Sequence, residues 1–493
     1  MTTASPTYDR DLADALQPWE PSSGDSFDEV RAGHLLNRAG FGGLPAEVEA
    51  VQKLGVAQAV DTLLDFPDAP ASEQSRSNLP DDSMLDGVPR SDYERREATM
   101  EIQAGKSEEE ARTERQLQQQ QWTAASRNHM NACASWWLER MARGPYPLQE
   151  KLVLFWHGHF TSSYRDDREG SWRLWNQNEL FRTHAAGNFR TFVRQVSRDP
   201  AMLKYLNNEN NIKLAPNENY ARELMELFTL GVSTPESPNY TEDDIKQAAR
   251  AFSGWTHDGL IFTFRQRLHD EGDKQIFGQR GKFGGDDVVD LLMRHPATGP
   301  YIGGKLFEFF VGTAASPEVA ASLGRVLVNA NYELRPLLRT ILRSKAFFEP
   351  ERIGGKIKEP VQLVAGTCRL LGLPLPQLRR VQSELEKMGQ VPFNPPNVKG
   401  WPGQYDGRRW INTATLLARY NFGADLGDQV KPDVPANATP GDIVDGWLAI
   451  LIPRPVPVAK RRELAKVLGD SPKRDTMRDM IKLILAMPEY QLC

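Results

Sequence analysis

The sequence predicts a mainly α protein: a large irregular helical domain with a small β-hairpin and a Pro/Gly/Trp-rich loop. Three observations predict it. From Pro147 to about Ala346, apolar residues recur at three- and four-residue spacing, the period that lines one face of a helix. The same spacing returns at 358–372, 375–389 and 413–423. Strand-like alternation is rare, and no repeat of fixed period occurs.

In chain order, residues 1–25 are polar with three prolines and read as an N-terminal arm. Val30, His34 and Leu35 then give a short helix, ended by the glycine-rich run Arg38 to Gly43. Pro45 opens the next helix, since its missing N–H costs nothing in a first turn. Residues 66–92, rich in Asp, Ser and Pro, read as an exposed loop. The charged, Gln-rich stretch 94–121 reads as a solvated helix or a mobile insertion, or functionally as a lid or partner-binding arm. Helical pattern resumes near Ser126 and carries Trp136, Trp137 and Met141. Leu260–Phe264 with Gln275–Phe277 predicts a hairpin around the turn His269-Asp270-Glu271-Gly272. Helices follow at 285–294, 302–311, 316–330 and 334–346. Prolines 432, 435 and 440 mark a linker, and three short helices follow at 440–452, 458–468 and 474–486. The expected organisation is therefore an arm at 1–25, a helical core at 26–426 with an exposed insertion about 66–125, and a C-terminal helical subdomain at 427–493.

Composition excludes several classes. With 60 basic against 65 acidic residues the net charge is −5, so a broadly basic nucleic-acid binder is excluded. Eleven Trp and 21 Phe require a buried core, which excludes a wholly disordered chain. Cys133, Cys368 and Cys493 form neither a disulfide scaffold nor a close metal-binding pair. The longest apolar runs, Leu152–Trp156 and Trp447–Ile452, fall far short of the roughly 18 residues of a membrane span. The N-terminus lacks a basic region followed by an apolar one, so a cytoplasmic location is expected.

Five segments could carry chemistry. In Pro147–Phe160, Glu150, Leu154 and His157 share a helix stripe, and a helix ending at Gly158 would let His157 and His159 converge on one ion. Two imidazoles with a carboxylate suit zinc, iron or manganese. In Asn217–Gly231, Glu223 and Glu226 are neighbours on one helix side, while Arg222 lies four residues from both Glu218 and Glu226. They read either as an ion-pair ladder or as a carboxylate pair for a metal or proton transfer. In Tyr240–Trp255, Thr241 and Asp244 resemble a capping box, and Arg250 is the residue most able to reach a site. The His269-Asp270 turn offers either ligands or an Asx-type turn. In Phe393–Gly403 with Trp410, the two tryptophans Trp401 and Trp410 form either a stacking surface or a plug over the core.

Together these blocks resemble one family. His34 to Gly42, Glu150 to Phe160, Asn217 to Gly231, Thr241 to Trp255 and Pro395 to Trp401 look like the signature of the bacterial group called domain of unknown function 1800, in order, from about residue 30 to 425. The resemblance implies a polar site on His157, His159, His269, Asp270, Glu218, Glu223 and Glu226. Genes of this family often neighbour those of a sulfatase-like family, which implies a joint pathway and an envelope association. Many members carry export signals, and this chain shows none, which departs from that pattern.

Two functions are therefore expected. One is a metal-dependent hydrolase or oxidoreductase, with His157, His159, His269 and Asp270 as ligands of one divalent ion. Glu223, Glu226 and Arg250 would be its catalytic groups. The other is a non-catalytic scaffold or chaperone for the sulfatase-like protein, using 94–121 and the acidic helices as contact surfaces.

Overall fold

A computed structural model describes residues 12–71, 79–236, 238–435, 438–452 and 454–493. Among them are 20 α-helices and two small two-stranded antiparallel sheets, so the fold is mainly α. The first helices are α1 (Glu29–Arg38), capped by Asp28, and α2 (Pro45–Leu64), with proline in its first turn as expected.

The charged insertion is helical. It forms α3 (Asp92–Gln103) and the first half of the 36-residue α4 (Glu108–Arg143), each opened by a Ser/Glu capping box. The expected loop before it contains a short 3-10 turn at Asp82–Leu85. Leu85, Val88, Trp122 and Trp172 make a small core of their own beneath this insertion. The segment is therefore anchored, although Tyr93, Met100 and Leu117 stand exposed on its outer side.

The central bundle contains α5 (Pro147–His159), α6 (Ser171–Thr183), α7 (Phe189–Arg198) and the short α8 (Pro200–Tyr205). Every residue of α5 from Leu148 to His159 is buried. Glu150 lies inside it as a carboxylate with four donors: Arg182 Nε and Nη2 at 2.9 Å each, Trp137 Nε1 at 3.0 Å, and Arg140 Nε. Burial by itself would raise its pKa, and the two guanidiniums overcome this and hold the carboxyl below its ordinary value. One charge cluster thus ties α4, α5 and α6 together.

One expectation about this region needs correction. Gly158 does not end α5, which runs one residue further. Its role is close approach: a Cβ there would lie 1.7 Å from Gln404 Oε1, so the loop after Trp401 can press on the helix only if residue 158 lacks a side chain. That loop is the expected plug, and Trp401 and Trp410 are both buried, so neither offers a stacking surface.

After α9 (Glu218–Glu223) the chain opens into a π-helical turn at Leu224–Thr229. The helix α10 (Glu242–Ala251) has the expected Thr241/Asp244 capping box. The β-structure differs in pairing from the prediction. Ile261–Phe264 pairs with Trp255–Asp258, and Lys274–Ile276 pairs with Gln279–Gly281. Both hairpins have two-residue loops. Gly259 takes φ +61° at the first loop position, and Phe277 and Gly278 both take positive φ in the second. Such loops favour a hairpin between sequence neighbours over one spanning the His269 turn.

The remaining helices are α11 (Gly285–Arg294), α12 (Thr298–Val311), α13 (Pro317–Asn329), α14 (Leu334–Arg343), α15 (Pro360–Leu370), α16 (Leu378–Met388) and α17 (Thr413–Gly427). Then come α18 (Pro440–Leu451), α19 (Val458–Leu468) and α20 (Arg474–Ala486). Gly299 and Gly324 allow α12 and α13 to pack backbone to backbone. One hydrophobic core includes residues from Ala13 to Tyr490. Of the polar arm, residues 1–11 lie outside the described residues. The part after them is docked: Trp19 N–H donates to Arg343 O at 2.7 Å, and Lys345 N–H donates to Gln17 O at 2.9 Å.

Candidate functional site

The expected ligand set does not assemble. His157 Nε2 accepts the backbone N–H of Phe393 at 3.0 Å, so its proton sits on Nδ1. Its ring is enclosed by Trp137, Phe181, Phe393 and Trp401. His159 lies at the end of the same helix but packs elsewhere, against Phe155, Phe228 and Tyr301. Its Nε2–H donates to Phe228 O at 3.1 Å, in the π-turn. Burial pushes both imidazoles down to about 3, with Lys305 adding to the effect at His159. A shared ion would need lone pairs aimed at one point, and these two rings have separate surroundings and fixed partners.

His269 and Asp270 sit at a third place. His269 Nδ1 donates to Ser253 O at 2.9 Å. Asp270 receives Arg250 in a two-pronged pair, Nε to Oδ2 at 2.7 Å and Nη2 to Oδ1 at 3.0 Å, and accepts Gly272 N–H at 2.8 Å. This is the Asx-type turn, tied to α10 by Arg250. Arg250 therefore clamps the turn. Among the described residues, no group of three or more His, Cys, Asp or Glu is placed to hold a metal ion.

The acidic helix is split between two roles. Arg222 joins Glu218 at 3.0 Å and Glu242 at 2.8 Å, which is the ladder reading with Glu242 in place of Glu226. Glu223 and Glu226 do lie side by side. Burial, then the charge of Glu226, raises the Glu223 carboxyl, while Lys399 and Arg222 oppose that rise. The pair is half-buried at the surface, and Glu226 also acts electrostatically on Tyr301.

A site that the motif reading missed lies across the bundle end. It is a polar cleft of about 610 Å³. One wall comes from the insertion, with Arg90 and Arg95. The floor is the loop Asp166–Glu169 with Lys204, and the far wall is the first hairpin with Thr256, His257 and Arg265. Gly259 makes this closure possible: a Cβ there would lie 2.8 Å from Arg90 O.

Three titratable side chains lie in this region. His257 Nε2–H donates to Glu209 Oε2 at 3.0 Å. That hydrogen bond holds the Glu209 carboxyl below its ordinary value against the effect of partial burial. His257 Nδ1 is buried and has no hydrogen-bond partner. On the inner side, Asp199 caps α8 through Met202 N–H at 2.9 Å and accepts Gln177 Nε2 at 2.7 Å, while its Oδ1 is buried and unpartnered. Burial pushes the Asp199 carboxyl up to about 7, and the hydrogen bonds from Met202 N–H and Gln177, then the charge of His257, counter part of that rise. Asp-Gly at 258–259 is a hairpin signal beside His257, and it is the local cue by which the sequence could have marked this wall. Nothing in local spacing links residues 199, 209 and 257.

The signature histidine supports this cleft from behind. Phe393, held at φ +61°, gives its N–H to His157 and accepts the N–H of Tyr164 at 2.8 Å. Tyr164 begins the loop that carries Asp166 and Arg168, and its hydroxyl donates to Arg168 O at 2.8 Å.

The chain matches the family described as "Protein of unknown function (DUF1800)" over residues 34–492, nearly its whole length, and belongs to it. No curated relative and no solved structure matches it. Among the described residues, no helix is long and apolar enough to cross a membrane.

Proposed function

We propose that the protein is an acid–base enzyme of the hydrolytic class, working in the polar cleft with Glu209 and His257 as its proton-transfer pair. The observation that carries the reading is the 3.0 Å hydrogen bond between His257 and Glu209 on the cleft wall, with the other imidazole nitrogen unpartnered. A carboxylate that fixes an imidazole, with a second carboxylate beside it, is a recurrent way to store and return a proton. Glu209 keeps about a quarter of its side-chain surface exposed and meets the cleft. It takes a proton from bound water or a substrate hydroxyl while the His257 Nε2–H stays hydrogen-bonded to it and fixes its position, and it then gives that proton to the leaving group.

The test is a substrate screen of esters, amides and glycosides with the full chain and with His257→Gln and Glu209→Gln. The expected result is turnover that each variant lowers about 100-fold with the thermal transition retained. Turnover equal in all three proteins would overturn the reading.

A second reading, favoured by one observation, is a contact surface for a protein partner such as the sulfatase-like one. Tyr93, Met100 and Leu117 are each more than half exposed along α3 and the start of α4. Large apolar side chains left exposed on one segment favour association.

A further inference from the structure

We infer that the cleft takes a substrate bearing a doubly charged oxyanion of the phosphomonoester kind, held by Arg168, Lys204 and Arg90. The inference rests on the reading of this cleft as the substrate site and names its ligand. The argument starts from which charges in the cleft are already matched. Asp167 is held by Arg173 in a two-pronged pair at 2.7 and 2.8 Å. Glu169 is held by Arg95 at 2.9 Å, and Glu209 by His257 at 3.0 Å. Of the acidic groups lining the cleft, only Asp166 has no ion pair within 4 Å among the described residues.

The cations are matched less well. Arg168 is exposed and has no carboxylate partner among the described residues. Lys204 reaches the Glu209 carboxylate only at 3.7 Å, and Arg90 reaches the Asp82 carboxylate only at 3.8 Å while its Nη2 donates to Asp82 O at 3.2 Å. Contacts that long leave most N–H donors of these groups to water. The lining as a whole has six Arg and Lys side chains against four Asp and Glu side chains, a surplus of two positive charges from separate segments of chain. Ser91, Asn210 and Thr256 add neutral polar groups around them.

A dianionic tetrahedral group fits that surplus. Guanidiniums present paired donors to adjacent oxygens, and an ammonium adds a point charge. A neutral substrate would leave the cations unmatched, and a monoanion would match only part of them. The loop bearing Arg168 is fixed by the Tyr164 hydroxyl and, through Phe393, by His157. Its cation is therefore presented from a fixed backbone.

The experiment is calorimetric titration of the full chain with inorganic phosphate and with phenyl phosphate, against sodium chloride at matched ionic strength and phenol as neutral control. Both phosphates should bind, and chloride and phenol should not. Arg168→Ala and Lys204→Ala should each weaken phosphate binding about tenfold, while Arg222→Ala, outside the cleft, should change it less than twofold. Tighter binding of phenyl phosphate would mark an ester as the ligand, and equal binding a free phosphate. Phosphate binding no better than chloride, or unchanged in both cation variants, would overturn the inference. If phosphate binds as stated while His257→Gln leaves turnover untouched, the anion site stands and the acid–base reading falls.

Discussion

His157 and Phe393 are joined across 236 residues by a 3.0 Å hydrogen bond, from the Phe393 N–H to His157 Nε2. The same Phe393 accepts Tyr164 N–H at 2.8 Å, so a buried histidine sets the position of a loop that floors the cleft. A residue that looked like a metal ligand is thus a peg between two loops and a helix.

His157→Ala should remove that peg. The variant leaves a void among four aromatic rings and a backbone N–H without its acceptor. Destabilisation of about 3 kcal/mol is expected from the void and the orphaned donor. Chemical denaturation measures the loss. Hydrogen exchange should speed up in residues 164–170 more than in α12. Metal content by mass spectrometry should be the same in the variant and the parent.

Acid should destabilise the protein through His157 and His159. Both titrate near 3 when folded, below their ordinary value of 6.5. Below pH 6.5 the unfolded chain therefore binds protons that the folded chain refuses, and stability falls as pH drops from 6.5 toward 3. The slope should be about 1.4 kcal/mol per pH unit for each histidine. His157→Gln should flatten the curve of unfolding free energy between pH 6 and 4. A curve as steep as the parent's would show that His157 is not buried in its neutral form.

Asp199 should act in the opposite direction. Its carboxyl titrates near 7 when folded, above its ordinary 3.8. The folded chain keeps that proton longer than the unfolded chain, so this group's contribution to stability is present at low pH and is lost as pH rises from about 4 to 7. Asp199→Asn keeps the helix cap and removes the titration. Its melting temperature should improve relative to the parent from pH 5 to pH 8, and a constant difference across that range would refute the assignment.

Glu150→Gln should be among the more damaging single changes in the bundle. The substitution leaves Arg182 and Arg140 facing each other without their shared carboxylate, inside α4, α5 and α6. Breaking one side of a buried pair costs about 3–5 kcal/mol. Urea unfolding should show that loss, with the far-ultraviolet spectrum unchanged at low denaturant.

Much of the architecture was set locally and was therefore legible in the sequence. Helix periodicity, Pro45 and Pro147 in first turns and the Thr241/Asp244 box depend on residues within about one helical turn of each other. Neighbourhood on one helix face likewise placed Glu223 beside Glu226. Hairpin pairing differs from the predicted one because the two-residue loops at Gly259 and Phe277-Gly278, with their positive φ, join strands that are neighbours in sequence. Only the tertiary structure decided where side chains from distant segments meet. Spacing put His157 and His159 together, yet two residues along a helix turn side chains about 200° apart, and packing sent one ring to Phe393 and the other to Phe228. Asp199, Glu209 and His257 come together because α8 packs against the first hairpin, a contact between segments about 50 residues apart. Long-range packing of that kind follows from the shape of the whole core, which no local window of sequence contains.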